Sequence, residues 1–171
     1  MKALVVYDSV YGNTEKIAQA IGEALAARAE VRTLRVGEAK PEHLADLGLL
    51  VVGAPTHGGM ASPAMKAWLK ALAPHSLAGV KVTAFDTRVA VEDVNSRIAA
   101  IFIKLFGYAA KRIAASLTKV GGTLVIPAEG FFVKDTQGPL KEGELERAAA
   151  WAGQIAAKLS ACPATLHRKA M

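Results

Sequence analysis

Short aliphatic runs and helix-periodic stretches alternate along the chain. The runs lie at Ala3 to Tyr7, Val31 to Val36, Leu49 to Gly53, Val80 to Phe85 and Thr123 to Ile126. Between them apolar residues recur with helical spacing. Ile17, Ile21, Ala24 and Leu25 fall at i, i+4, i+7 and i+8, and Met65, Trp68, Leu69 and Leu72 repeat the pattern. Leu145, Ala148, Ala149, Ala152, Ile155, Ala156 and Leu159 carry it again near the C-terminus. Ser62-Pro63 reads as an N-cap followed by proline at the first helical position. Gly121-Gly122 marks where a helix stops before the last strand. Strand–helix alternation of this kind predicts an α/β domain, a parallel sheet with helices on both faces. The first, third and fifth runs are nearly all apolar, as strands covered on both faces are. The second, EVRTLRV, alternates charged and apolar residues and predicts an edge strand.

The stretch from Arg88 to Tyr108 fits this scheme poorly, being longer than a usual strand–helix connection. Its centre, IAAIFIKLF, is apolar on nearly every face of a helix. For Ile98 to Phe106 three roles stand open: burial on all sides, a lid over a ligand, or a homo-oligomer interface beside the site.

The chain has 171 residues, 52% hydrophobic and 21% charged, which suits one domain with a sizeable core and excludes disorder by composition. The expected division is a domain over 1–160 and a short basic tail over 161–171. A net charge of +6 favours anionic partners, but the basic residues are scattered and no nucleic-acid recognition motif accompanies them. The single cysteine, Cys162, excludes an internal disulfide framework and a multi-thiolate metal site. His43, His57, His75 and His167 lack metal-ligand spacing. No apolar stretch reaches the roughly 18 residues that span a bilayer, and no signal-peptide pattern is evident, so a cytoplasmic location is expected.

The sharpest chemical signal follows the first strand. Asp8-Ser-Val-Tyr-Gly-Asn-Thr14 leads from a strand into a helix, an arrangement suited to phosphate. The helix N-terminus offers unpaired N–H groups, Gly12 lets the backbone approach closely, and the Ser9 and Thr14 hydroxyls can donate. No lysine or arginine lies in the loop, so binding there rests on neutral donors and the helix dipole. The nucleotide-binding patterns GxxxxGK[ST] and GxGxxG are both absent.

The run VVYDSVYGNTEKIA resembles the phosphate-binding signature of the flavodoxin family, with Ser9, Gly12, Asn13 and Thr14 matching. Tyr11 stands where the family carries threonine, so a side-chain phosphate contact gives way to its backbone N–H, and Val10 counts among the cofactor-binding residues of the same loop. LLVVGAPTHGGMASPAMKAWL resembles the family's third strand, first flavin-ring loop and following helix, and FFVKDTQGPLKEGELERAAAWA resembles the family's C-terminal end. The resemblance implies a flavodoxin-like doubly wound sheet of five parallel strands in the order 2-1-3-4-5. FMN is then held at the switch point between strands one and three, a placement known for flavodoxins and brought by the resemblance.

It further implies that Pro55 and Thr56 set the first ring loop and that Gly58 and Gly59 face the flavin edge. His57 is then a ring contact or an exposed loop histidine, and Met60 a ring cover or a loop residue folded onto the core. Asp86, Thr87 and Arg88 take the place of the second ring loop. The implied activity is electron transfer through a noncovalently bound flavin, to a redox partner protein. The alternative is an FMN-dependent reductase of quinones or other small acceptors, of the NAD(P)H:quinone type. Two departures bear on that choice. Neither ring loop carries the aromatic residues between which flavodoxins sandwich the flavin, which leaves a ring face open to a substrate. The sequence pI of about 9.6 is basic, where electron-carrier flavodoxins are acidic around the flavin.

Overall fold

The computed structural model describes residues 1–90 and 108–161. Six strands form one parallel sheet: β1 (Lys2–Tyr7), β2 (Glu30–Arg35), β3 (Leu47–Pro55), β4 (Lys81–Val89), β5 (Thr123–Leu124) and β6 (Glu129–Val133). Among the described residues four α-helices flank it: α1 (Asn13–Ala26), α2 (Pro63–Ala71), α3 (Ala109–Lys119) and α4 (Glu144–Ala161). The order is β2-β1-β3-β4-β5, with β6 also paired to β4. Fold class and strand order are therefore as the sequence resemblance implies.

Period-two alternation divides β1 between two cores. Ala3, Val5 and Tyr7 face α1 and α4, meeting Ile17, Ile21, Trp151 and Ile155. Leu4 and Val6 face the opposite side, with Met65, Ile113 and Leu117 from α2 and α3. α1 and α2 thus leave β1 and β3 on opposite faces of the sheet, which opens a crevice between the carboxyl ends of those two neighbours.

Two strand expectations need correction. The fifth position is not one continuous buried strand but two short pieces, and Thr123 and Leu124 are exposed at the edge. Val82 pairs with Leu124 and Phe85 with Glu129, so residues 125–128 face only Thr83 and Ala84. Pro127 has no N–H to give the ladder, and the Thr83 hydroxyl donates to the Ile126 carbonyl across the break (3.1 Å). The strands buried along most of their length are β1, β3, β4 and the short β6, while β2 is the half-wet edge strand its sequence suggests.

Helix α4 also sits differently from its apolar spacing. Leu145 is exposed, and the buried stripe runs Glu144, Ala148, Trp151, Ala152, Ile155 and Ala156. Glu144 accepts the Phe132 N–H (2.8 Å) and pairs with Arg147 (2.6 Å), so a carboxylate takes the position an apolar residue would hold. The helix continues through Ala161, one residue into the stretch read as tail. Cys162, the rest of that tail, and Ile98 to Phe106 lie outside the described residues.

At the start of α2 the Ser62 hydroxyl accepts the Met65 N–H (3.3 Å) and Pro63 takes the first helical position, as the sequence predicts. Ser62→Ala should lower stability by about 1 kcal/mol, measured by urea unfolding.

Candidate functional site

A cavity of about 210 Å³ opens at the carboxyl ends of β1, β3 and β4, where the two layers of helices diverge. Ser9, Val10, Tyr11, Asn13 and Thr14 form one wall, Pro55, Thr56, His57 and Gly58 a second, and Thr87, Arg88 and Val89 the floor. Val133 and Thr136 close the side. Most of the residues expected from sequence are thereby gathered around one space.

The first wall is built for an anion. Gly12 adopts φ +82°, and a Cβ at that position would meet nothing within 4 Å, so the backbone itself faces open space. The Ser9 side chain is buried, and its Oγ has no hydrogen-bond partner among the described residues. A buried hydroxyl left unpaired costs about 1–3 kcal/mol, which marks this one as waiting for a ligand atom. Thr14 Oγ1 lies 2.7 Å from Thr87 Oγ1, both buried. One proton serves that contact, so the other hydroxyl proton stays available to an acceptor in the cavity. Thr14 sits in the first turn of α1, whose N-terminal N–H groups and dipole add positive potential.

Asn13 lines the cavity and also joins two loops. Its Nδ2 donates to the Gln137 carbonyl (3.0 Å), tying the loop after β6 to the phosphate-type loop. Gly138 has φ +100° there, and a Cβ on it would sit 2.5 Å from Asn13 Nδ2, so only glycine allows the approach. This wall from beyond residue 130 was not read from the sequence as a site element; its sole signal was the GP pair after a polar run.

In the second wall His57 and Met60 exchange backbone hydrogen bonds (2.9 and 3.0 Å) around Gly58 and Gly59, both at positive φ. Positive φ at both central residues is the geometry of a type I′ turn, which explains the two glycines. The turn leaves His57 exposed, and Met60 is 42% exposed rather than folded onto the core. Gly59 and Met60 do not line the cavity.

The floor holds a buried ion pair. Arg88 Nε pairs with Asp86, whose side chain is fully buried. The guanidinium lies 3.5 Å from the centroid of the Tyr108 ring, and a Cβ on Gly130 would meet its Cζ at 2.1 Å. Glycine at 130 thus leaves the slot Arg88 fills. Asp86 Oδ2 accepts the Ala110 N–H (2.8 Å), and Thr56 Oγ1 accepts the Ala109 N–H (3.2 Å), so the two side chains together cap α3. Burial pushes the Asp86 carboxyl above its ordinary value, and the neighbouring Arg88 pulls it partly back. Asp86, expected from sequence to line the ring site, is instead the anchor beneath it. Its spacing in the strand gave no sign of a capping role.

One cation missing from the sequence reading also reaches the loop. Arg35, at the end of β2, donates through Nη2 to the Ser9 carbonyl, and its Nε lies 3.7 Å from Asp8 Oδ1. It pairs in register with Tyr7, so only strand pairing brings it there.

No cluster of metal-ligating side chains occurs among the described residues, and no described helix is long and apolar enough to cross a membrane. The model of the flavodoxin domain family matches residues 4–127. Among solved structures, a flavodoxin from the domain Archaea superimposes with a TM-score of 0.73 at 24% identity, over 94% of this chain and 99% of that one. Flavodoxin 2 from Bacillus cereus does so with a TM-score of 0.69 at 25% identity, over 92% and 99% respectively. The flavodiiron protein from Giardia intestinalis matches 94% of this chain with only 36% of its own length, with a TM-score of 0.68 at 20% identity. No curated protein sequence matches the chain.

Proposed function

This chain belongs to the flavodoxin family, with FMN as its cofactor, and from that premise we propose how the residues above hold the flavin and hand on its electrons. The 9–14 loop takes the phosphate: Ser9 Oγ and a hydroxyl of the Thr14–Thr87 pair donate to it, with the backbone N–H groups beside Gly12. The 55–58 turn and the Thr87–Val89 strand end flank the ring. The observation that carries the reading is the buried, unpartnered Ser9 hydroxyl beside an open glycine at a helix N-terminus.

Bound FMN supplies the redox chemistry, and the chain binds, orients and partly shields it. The recipient is a redox partner protein. Val10, Tyr11 and Met60 are 58%, 49% and 42% exposed on the two loops that frame the cavity. Apolar side chains presented together at the rim of a site suit transient contact with another protein surface. The second reading, an FMN-dependent reductase of quinones, draws on the absence of aromatic residues from the 55–60 and 86–89 loops.

Titration of the apoprotein with FMN and with riboflavin tests the cofactor site. FMN should bind far more tightly, since each charge-assisted hydrogen bond lost with the phosphate costs about 1.5–3 kcal/mol. Thr14→Ala should weaken FMN about tenfold or more and leave riboflavin nearly unchanged. Equal affinities for the two ligands would overturn the assignment. Steady oxidation of NAD(P)H by a quinone, with no second protein present, would move the choice to the reductase.

A further inference from the structure

We propose that Arg35 is a positioning residue that sets the phosphate selectivity of the flavin site without touching the phosphate. The inference rests on the cofactor reading above and concerns how the loop is made ready.

The geometry turns on one peptide. Ser9 N–H already donates to Asp8 Oδ1 (2.9 Å), so it is unavailable to a ligand. The next peptide, Ser9–Val10, has its carbonyl held by Arg35 Nη2. In a trans peptide the C=O and the following N–H point in opposite directions. Holding the Ser9 carbonyl toward β2 therefore fixes the Val10 N–H toward the other side, where Val10 lines the cavity. Among the described residues that N–H has no acceptor. The buried Ser9 Oγ, unpartnered too, belongs to the same residue whose carbonyl is clamped.

Arg35 is itself fixed. It lies opposite Tyr7 in the β1–β2 pairing, its backbone N–H donates to Glu38 Oε2 (3.2 Å), and Asp8 faces its Nε. Its side chain is 51% exposed, so it contributes little to the core. Its charge is met by the Asp8 carboxylate, so what it lends the loop is orientation. A loop with no basic residue of its own thus has its peptide set by the neighbouring strand.

Arg35→Met keeps the stem and removes the donors and the charge. FMN affinity is expected to fall about tenfold or more, the effect of losing one charge-assisted contact, while riboflavin affinity changes less than about twofold. Inorganic phosphate should raise the melting temperature of the wild-type apoprotein by mass action, and much less that of Arg35→Met. Arg32→Met removes an exposed charge from the same strand without reaching the loop, and should leave FMN affinity within about twofold. Should Arg35→Met fail to fold, Arg35→Lys carries the test, with weaker FMN binding and unchanged riboflavin binding expected. Equal losses for both ligands, no loss for either, or the same loss in Arg32→Met overturns the assignment. Intact FMN selectivity in the wild type with an unaffected Arg35 variant removes this proposal alone. A wild type that fails to prefer FMN removes the cofactor reading along with it.

Discussion

Asp86→Ala should destabilise the apoprotein by about 3–5 kcal/mol, measured by urea unfolding at neutral pH. Asp86→Ala takes the hydrogen-bonding partner from a buried guanidinium, which among the described residues is left with no acceptor in its slot. Arg88, with a side chain only 14% exposed in the slot between Gly130 and Tyr108, has little water to fall back on. The same substitution strips the Ala110 N–H of its acceptor at the start of α3. Asp86→Asn keeps an acceptor for Ala110 but loses the charge, and should fall between alanine and wild type. The pH dependence follows from the direction of the shift. Because burial raises the folded carboxyl above its unfolded value near 3.9, the folded state holds this proton where the unfolded state has lost it. Asp86 therefore contributes most to stability at low pH, and that contribution falls as pH rises from about 4 through the folded value. The stability gap between wild type and Asp86→Asn should narrow over that window. A gap that widens with pH would show that pairing with Arg88 outweighs burial.

Phe85→Ala is the second large effect, expected at about 3–5 kcal/mol for a fully buried aromatic. The ring lies edge-on to Phe131 (6.0 Å, 71°) and to Trp151 (6.4 Å, 69°), so its loss opens the centre of the α1–α4 core. Gly53 lies beneath it in β3, and a Cβ there would stand 2.0 Å from the ring. Gly53→Ala alone should cost about 1–3 kcal/mol through overpacking. Neighbours that share a volume do not add. The double variant Gly53→Ala, Phe85→Leu should lose clearly less than the sum of its two singles, in a thermal or urea cycle. Strict additivity would mean that the glycine serves the strand backbone rather than the ring.

Substitutions at the cavity and in the core report on different parts of the chain. Asp86 and Thr56 both accept backbone N–H groups at the start of α3 and so fix that helix under the ring loops. Ser9 and Thr14 are proposed to be the reverse, with hydroxyls that serve the phosphate rather than the fold. A variant series across these four residues should therefore separate, with stability falling in the first pair and FMN affinity in the second.

Local order was written in the sequence wherever a single element decides the outcome. The alternation of aliphatic runs and helical spacing determined the α/β class, and the stretch from Asp8 to Thr14 determined a strand–turn–helix junction, because strand, turn glycine and helix start are contiguous. Ser62-Pro63 and the paired glycines at 58 and 59 likewise carry their own turn chemistry. Tertiary structure decided what depends on partners distant in the chain. Pro127 interrupts the fifth strand, and both pieces stay in the sheet because β4 offers them one continuous edge. Leu145 faces water because Glu144 is drawn inward by the Phe132 N–H and Arg147. Asp86 turned from an expected ring contact into a helix anchor because α3 begins beside it, and Arg35 reached the loop because β2 pairs with β1 in that register. Hydrophobic periodicity records which face of an element is buried, whereas the Ala110 N–H that Asp86 accepts and the Ser9 carbonyl that Arg35 holds lie 24 and 26 residues away, where no local pattern reaches.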